Sequence, residues 1–471
     1  MTKTKIITTL GPATATVEMM RALITAGADI FRLNMSHGDH EKAAVIIANA
    51  RQASELEGRF IPLFMDLRGP KLRIGKMEKE EATLIEGNEF TITTRTVAGT
   101  AAIVSTDYPY LPTDVNEGQT ILLDDGQIVL KVLGVAGDAV NCRIEVGGML
   151  KSNKGMALPG VRVKLPALTD KDKVDARFGI EQDVDGFMLS FVQHREDILD
   201  LHRLMLTSGG LRPVIAKIET ASALDELADI AAVADALLVA RGDLGVELPI
   251  QKLPHAQKAI VAAAHAARKP AIVATEMLES MIVKNRPTRA EVTDVAHAVA
   301  DGADAVMLSA ETASGKYPVK AVQTMDAIAE EAERHLPPSF KEIAKENGRM
   351  LLSEGLSYAA VKLADNIDAD GLILYSMSGY TARIAAYFAP CTPIFAFTGD
   401  IHTARVMNLF RGVQSFVLEQ EPDTFDDFIA TALPLLTAQK LIAVGQTVVA
   451  ANVSSTATTH RHSNAIRVVG V

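Results

Sequence analysis

The chain of 471 residues has no tryptophan, few aromatics of any kind, and only two cysteines, Cys142 and Cys391. Two thiols cannot staple a chain of this length, so a disulfide framework is excluded and a reducing compartment is expected. No charge-free apolar run approaches the length needed to span a bilayer, so no membrane association is expected. The opening residues Met1 to Ile6 lack the apolar core of a secretion signal, and the expected location is the cytoplasm. Basic residues are outnumbered, 47 Lys and Arg against 58 Asp and Glu, for a formal net charge of -11. That balance argues against nucleic acid as a partner, although clustered arginines and lysines can still bind phosphates locally. What is present is 48% hydrophobic sequence, ample for a sizeable core. The length suits about two to four domains.

A rhythm of strand then helix starts at once. Strand-like runs lie at Lys5 to Leu10, Ile30 to Leu33 and Ile61 to Met65, with helical spacing at Val17 to Thr25 and His40 to Glu57. From about Leu72 to Leu168 helical periodicity disappears. Short β-type runs separated by turns replace it, among them Glu89 to Thr93, Thr120 to Leu123, Gln127 to Val132 and Asn141 to Val146. This reads as a small β domain inserted in a strand-to-helix loop. The first rhythm then resumes, with strands at Gly186 to Ser190, Pro213 to Ile218, Ala236 to Ala240, Pro270 to Ala274 and Ala305 to Leu308. Eight short strands, each followed by a helical segment, predict a (β/α)₈ barrel; a doubly wound sheet is the alternative. After about residue 340 a separate αβ unit is expected, with strands at Gly371 to Tyr375, Pro393 to Phe397, Gln414 to Leu418 and Ile466 to Val471. The predicted domains are therefore 1–71 and 169–340 for the barrel, 72–168 for the β insertion and 341–471 for the αβ unit.

Polar residues recur just after the barrel strands: Asn34, Asp66, Ser190, Lys217, Glu219, Asp243, Thr275 and Ser309. Barrel enzymes build their sites at that face. In Val214-Ile215-Ala216-Lys217-Ile218-Glu219, strand alternation points Lys217 and Glu219 the same way. Taken alone, the pair also fits a structural ion pair. Asp243 follows the neighbouring strand, and two carboxylates completed by water and substrate oxygens suit Mg²⁺. Arg32 ends another strand, where its planar fork can grip a phosphoryl group. A divalent ion, a lysine and an arginine around one point stabilise a transferring phosphoryl group and an enolate oxygen. Other readings remain open: Asp243 as a turn residue, Thr275 as a helix cap, His37 beside Ser36 without chemistry. Lys217 as a Schiff-base nucleophile is a further alternative, belonging to a 2-oxo-acid lyase. Glu219 and Asp243 count against it, because neighbouring anions keep an amine charged.

Seven segments together resemble pyruvate kinase: Thr9 to Ala13, Phe31 to Gly38, Asp66 to Lys71, Ala216 to Glu219, Ala240 to Gly245, Ala274 to Met281 and Ser309 to Ala313. The resemblance implies phosphoryl transfer from phosphoenolpyruvate to ADP, giving pyruvate and ATP. It also implies a barrel with a β lid and a C-terminal αβ domain, a divalent ion (Mg²⁺ or Mn²⁺), and a homotetramer. Glu219 and Asp243 would bind the metal, and Lys217 and Arg32 would serve the phosphoryl group. Gly242 and Asp243 backbone, with Thr275, would hold the substrate carboxylate. Arg73 and Lys154, with Asn34 and His37 nearby, would meet nucleotide phosphates. For the proton that reaches the enolate, our own expectation, beyond the resemblance, is water relayed past Thr275 and Ser309. A lid that closes over the substrate would exclude water.

Three departures from the family pattern bear on function. Many pyruvate kinases carry Glu at the position of Lys71 and need K⁺, held near Asn34, Ser36, Asp66 and the residue at Leu67. Here Leu67, Arg68, Lys71 and Ile74 resemble a subgroup with lysine, which implies that K⁺ is not required. In the lid, Ala157 stands where Asn is common. In the C-terminal domain, Ser376, Ser378, Gly379 and Thr381 resemble an effector phosphate loop for a sugar phosphate or AMP, but Tyr380 replaces a basic residue. The loop before Ser463-Asn464 also lacks the family's glycine-rich pattern.

Overall fold

The computed structural model describes residues 2–36, 39–336, 351–453 and 464–471. Its first eight-stranded unit is a closed parallel barrel whose strands follow one another in chain order. They are Lys5–Leu10, Ile30–Asn34, Leu63–Asp66, Gly186–Leu189, Val214–Ile218, Ala236–Ala240, Ala271–Ala274 and Ala305–Leu308. Nearly every strand residue is buried, because one face packs the barrel interior and the other packs the surrounding helices. Ile7, Ile30, Phe64, Met188, Ile215, Leu238, Ile272 and Met307 belong to the interior layer. Gly186 makes room for one of them: a Cβ there would lie 2.3 Å from Cε1 of Phe64 and 2.7 Å from the Pro213 carbonyl.

The insertion between the third and fourth strands holds a six-stranded sheet and a two-stranded sheet. Its core is its own, built from residues such as Phe90, Ile121, Leu130, Val140 and Ile144. The C-terminal unit is a five-stranded sheet in the order Val413–Val417, Ile394–Thr398, Gly371–Tyr375, Thr447–Asn452, Ala465–Gly470. The last strand runs antiparallel to its neighbour.

Several elements were not legible in the pattern. Thr447–Asn452 is a central strand, buried along nearly its whole length, so it carries no polar alternation. The barrel helix Leu253–Ala266 is alanine-rich, so its two faces differ little. Asp170–Glu181 is another ring helix that the sequence reading did not assign, although its start carries a local signal. Thr169 and Asp172 form a reciprocal capping box. Among the described residues no helix is long and apolar enough to cross a membrane.

Candidate active site

The second and third barrel strands run in register, pairing Arg32 with Phe64 and Asn34 with Asp66. That register sets the Arg32 guanidinium against the Asp66 carboxylate. Its Nη2 and Nε lie 2.6 Å and 2.7 Å from Asp66 Oδ2. Its Nη1 donates to Thr9 Oγ1 at 2.8 Å, on the first strand. Arg32 and Asp66 are both buried. Two cations act on Asp66, since Lys217 Nζ lies 3.4 Å from its other oxygen. Burial opposes the charge, but Lys217 and Arg32 together hold the Asp66 carboxyl below its ordinary range.

Lys217 and Glu219 do share a face. Lys217 Nζ is 2.9 Å from Glu219 Oε1 and donates to Ser190 Oγ at 2.7 Å. Ser190 in turn donates to the Leu67 carbonyl at 2.7 Å. Burial works against the lysine charge, yet Asp66 and Glu219 raise its pKa and keep it an ammonium. Glu219 is 1% exposed and accepts the Phe191 N–H at 2.7 Å through Oε2. Phe191 reaches it through a left-handed backbone, φ 54°. Burial, with Asp243 adding negative charge, outweighs Lys217 and pushes the Glu219 carboxyl up to about 7.

Asp243 does not sit in a turn. It lies in the first turn of the helix Arg241–Glu247, which begins directly after the sixth strand. Asp243 and Glu219 line one cleft, together with the lid residues Asp125, Gly155 and Met156. Lys71 enters the same cleft, its Nζ 3.6 Å from Asp243 Oδ1. Leu67 is fully buried and apolar. Asn34 Oδ1 accepts the Ser36 N–H at 3.0 Å, at the exposed rim.

Thr275 has φ 68° and Glu276 φ 54°, strained for residues with a Cβ. The strain aims the Thr275 hydroxyl at the Gly242 N–H, which donates to it at 2.8 Å. That hydroxyl donates to the Ala274 carbonyl at 2.6 Å. Arg241 braces the bend through the Thr275 carbonyl and Asp294. The Ser309 N–H donates to Glu311 Oε2 at 2.7 Å.

The nucleotide candidates sit on the lid side. Arg73 Nη1 donates to the Asn153 carbonyl at 2.9 Å, and Lys154 Nζ is 2.7 Å from Asp124 Oδ1. His37 lies outside the described residues. The effector candidates are far along the chain, in the C-terminal unit. Ser376 and Thr381 are buried, and the Thr381 hydroxyl donates to the Val453 carbonyl at 3.3 Å. Ser378 is exposed, and Gly379 caps the helix Tyr380–Tyr387 with φ 77°. Ser463 lies outside the described residues.

Sequence reasoning gave no role to Thr9, Phe191 or Glu247, and noted Ser190 only for its place after a strand. Ser190 could have been found by that place alone. The backbone donation from Phe191 leaves no trace in residue type. Glu247 lines the same cleft, and burial pushes its carboxyl up to about 7.

Comparison with known proteins decides the family. The pattern described as pyruvate kinase, barrel domain, matches residues 1–322, and that of the pyruvate kinase alpha/beta domain matches residues 354–469. The chain belongs to the pyruvate kinase family. It is 43% identical over 434 residues to pyruvate kinase 2 of Synechocystis, covering 91% of this chain and 73% of that one. It is 41% identical over 422 residues to the Mycobacterium tuberculosis pyruvate kinase, covering 89% and 88%. A crystal structure of a Cryptosporidium parvum pyruvate kinase superposes with a TM-score of 0.92 at 33% identity, covering 100% of this chain and 96% of that one. The activity is accordingly phosphoryl transfer between phosphoenolpyruvate and ADP, yielding pyruvate and ATP. Family membership carries a divalent-cation requirement.

Proposed function

We propose that the cluster around Lys217 performs this transfer. The observation that carries the reading is one continuous network. Arg32 and Lys217 share Asp66, Lys217 also touches Glu219, and Glu219 shares a cleft with Asp243. Arg32 and Lys217 would grip the phosphoryl group, and Lys217 would hold the charge that develops on the enolate oxygen. A permanent ammonium suits that task and cannot act as a nucleophile, which disfavours the Schiff-base lyase. Gly242 and Asp243 backbone, with Thr275, would orient the substrate carboxylate. Ser309 and Thr275 would pass a proton from water. Arg73 and Lys154, with Asn34, would take the nucleotide phosphates from the lid side.

Glu219 and Asp243 would hold the divalent ion, for which we propose Mg²⁺, with Mn²⁺ as substitute. They fit it. Asp243 adds to the burial that raises the Glu219 carboxyl, and a bound cation would offset both. Among the described residues no three His, Cys, Asp or Glu side chains converge, so the protein would supply two carboxylates and leave other positions to water and substrate. The ion, when bound, supplies charge neutralisation for the phosphoryl oxygens.

Turnover without K⁺ is part of the proposal. Leu67 offers no side-chain oxygen, and Asp66 already carries two cations. Lys71 brings a third positive charge to the cleft. ATP formation from phosphoenolpyruvate, ADP and Mg²⁺ should proceed at full rate in a Na⁺- and K⁺-free buffer. A large gain on adding K⁺ at constant ionic strength refutes this.

A cytoplasmic homotetramer is proposed from the family, with the edge strand Ala465–Gly470 available for a subunit contact. We place a sugar phosphate or AMP at Ser376, Ser378, Gly379 and Thr381, where hydroxyls meet a helix N-terminus. Isothermal titration should show heat with one of these ligands and none with Ser378→Ala Thr381→Ala; silence in the unsubstituted protein refutes the site.

A further inference from the structure

We infer that Lys71 is a built-in competitor for the divalent cation, an ammonium that occupies the mouth of the Asp243 site until metal displaces it. The inference rests on the reading of Glu219 and Asp243 as metal ligands. Three observations carry it. Lys71 Nζ lies 3.6 Å from Asp243 Oδ1, on the carboxylate that would face the ion. Asp66, the neighbouring buried carboxylate at this rim, is already held by Arg32 and Lys217, which leaves Asp243 as the carboxylate that Lys71 meets. Lys71 also lies on the strand-to-lid segment. Its N–H donates to the Gly69 carbonyl at 3.0 Å, and a Cβ built on lid Gly155 would sit 3.5 Å from its Cε. The residue therefore lies where lid and barrel meet, and it lines both the cleft with Asp243 and a second cleft beside Arg68 and Lys171.

A charged amine and a divalent ion cannot both sit within contact of one carboxylate oxygen without strong repulsion. Binding of the ion must move the ammonium, and because Lys71 lies under the lid, metal affinity and lid position are coupled. Lys71 is a positioning residue in this account. It holds Asp243 before the ion arrives, and its displaced charge is then available to the nucleotide side of the cleft.

The test is Mn²⁺ binding to the full-length enzyme, without phosphoenolpyruvate or nucleotide, measured by electron paramagnetic resonance of the free ion. Lys71→Met keeps the aliphatic stem and removes the charge. It should bind Mn²⁺ about five- to tenfold more tightly than the unsubstituted enzyme. Lys154→Met is the control, because it removes the same charge from the lid while its partner is Asp124. It should change Mn²⁺ affinity less than twofold. Equal affinity in Lys71→Met and the parent overturns the inference. So does an equal gain in both variants, which would report only long-range charge. Lys71→Gln, carried in parallel with thermal melts, guards against a folding defect in the Met variant. Absence of Mn²⁺ binding in the parent, or binding unaffected by Asp243→Asn, overturns instead the reading of the carboxylates.

Discussion

Lys217 is held by three oxygens, those of Ser190, Glu219 and Asp66, and each restricts where its charge can lie. Such a fixed cation stabilises a developing oxyanion without reorganising as charge develops. Lys217→Ala should therefore lower kcat by about 10²- to 10³-fold or more. Its effect on folding is smaller than a buried broken pair normally costs, about 3–5 kcal/mol. Asp66 keeps Arg32, and Glu219, whose carboxyl is already raised to about 7, can take up a proton. The variant should thus melt a few degrees lower yet still bind Mn²⁺. Near-normal turnover in it would refute the assignment of Lys217.

At the scale of elements, the lid and barrel meet through Glu247, at the end of the helix that begins with Arg241. Its carboxyl lies in the cleft with the lid residues Gly155 and Met156 and with Thr220, just before a barrel helix. Burial, the largest influence, raises it from 4.5 to about 7. A carboxyl raised on folding is most stabilising when protonated, and its contribution declines as pH rises from about 4.5 to about 7. Glu247→Gln retains an acceptor oxygen but no charge. Its advantage over the parent should be smallest at about pH 4 and grow to about 1–3 kcal/mol by pH 8, as measured by urea melts. A constant difference across that range would show that Glu247 is not buried as a charge. The same element shows what sequence could and could not reveal. Strand alternation placed Lys217 and Glu219 on one face, and strand endings placed Asp66 and Asp243 at one rim. Those inferences needed only local geometry. Phe191 donating to Glu219, Glu247 sharing a cleft with Gly155 and Lys71 turning towards Asp243 depend on contacts between distant segments, and no period or residue type announces them. The central strand Thr447–Asn452 escaped for a related reason: buried on both faces, it has no polar rhythm.

Across the whole molecule, the active-site face of the barrel and the C-terminal unit lie at opposite ends, and an apolar cluster shared by the barrel interior and the C-terminal unit is reinforced by polar contacts. Glu333, near the end of the last barrel helix, accepts from the Lys3 and Thr4 N–H groups, the Thr4 hydroxyl and Arg411. Lys5 Nζ donates to the Val413 carbonyl at 2.7 Å, and the Gly412 N–H donates to the Lys3 carbonyl at 2.8 Å. Asn408 reaches the Phe60 carbonyl, and Arg405 lies 3.5 Å from Asp185. The segment 408–413 is thus clamped to the barrel floor. Glu333 is the point at which several donors converge, and its side chain is only 10% exposed. Glu333→Ala leaves those donors without their acceptor, a loss of about 3–5 kcal/mol by the cost of breaking a buried charge pair. The loss falls on the polar part of the junction, leaving the apolar cluster shared by the two units to hold them alone. Calorimetry should therefore show the C-terminal unit melting ahead of the barrel in Glu333→Ala, where the parent melts as one. Turnover at saturating substrate should be little changed, because no group in the catalytic cleft touches Glu333. A single transition at the parent temperature would show that the apolar contacts between the two units, not these hydrogen bonds, hold them together.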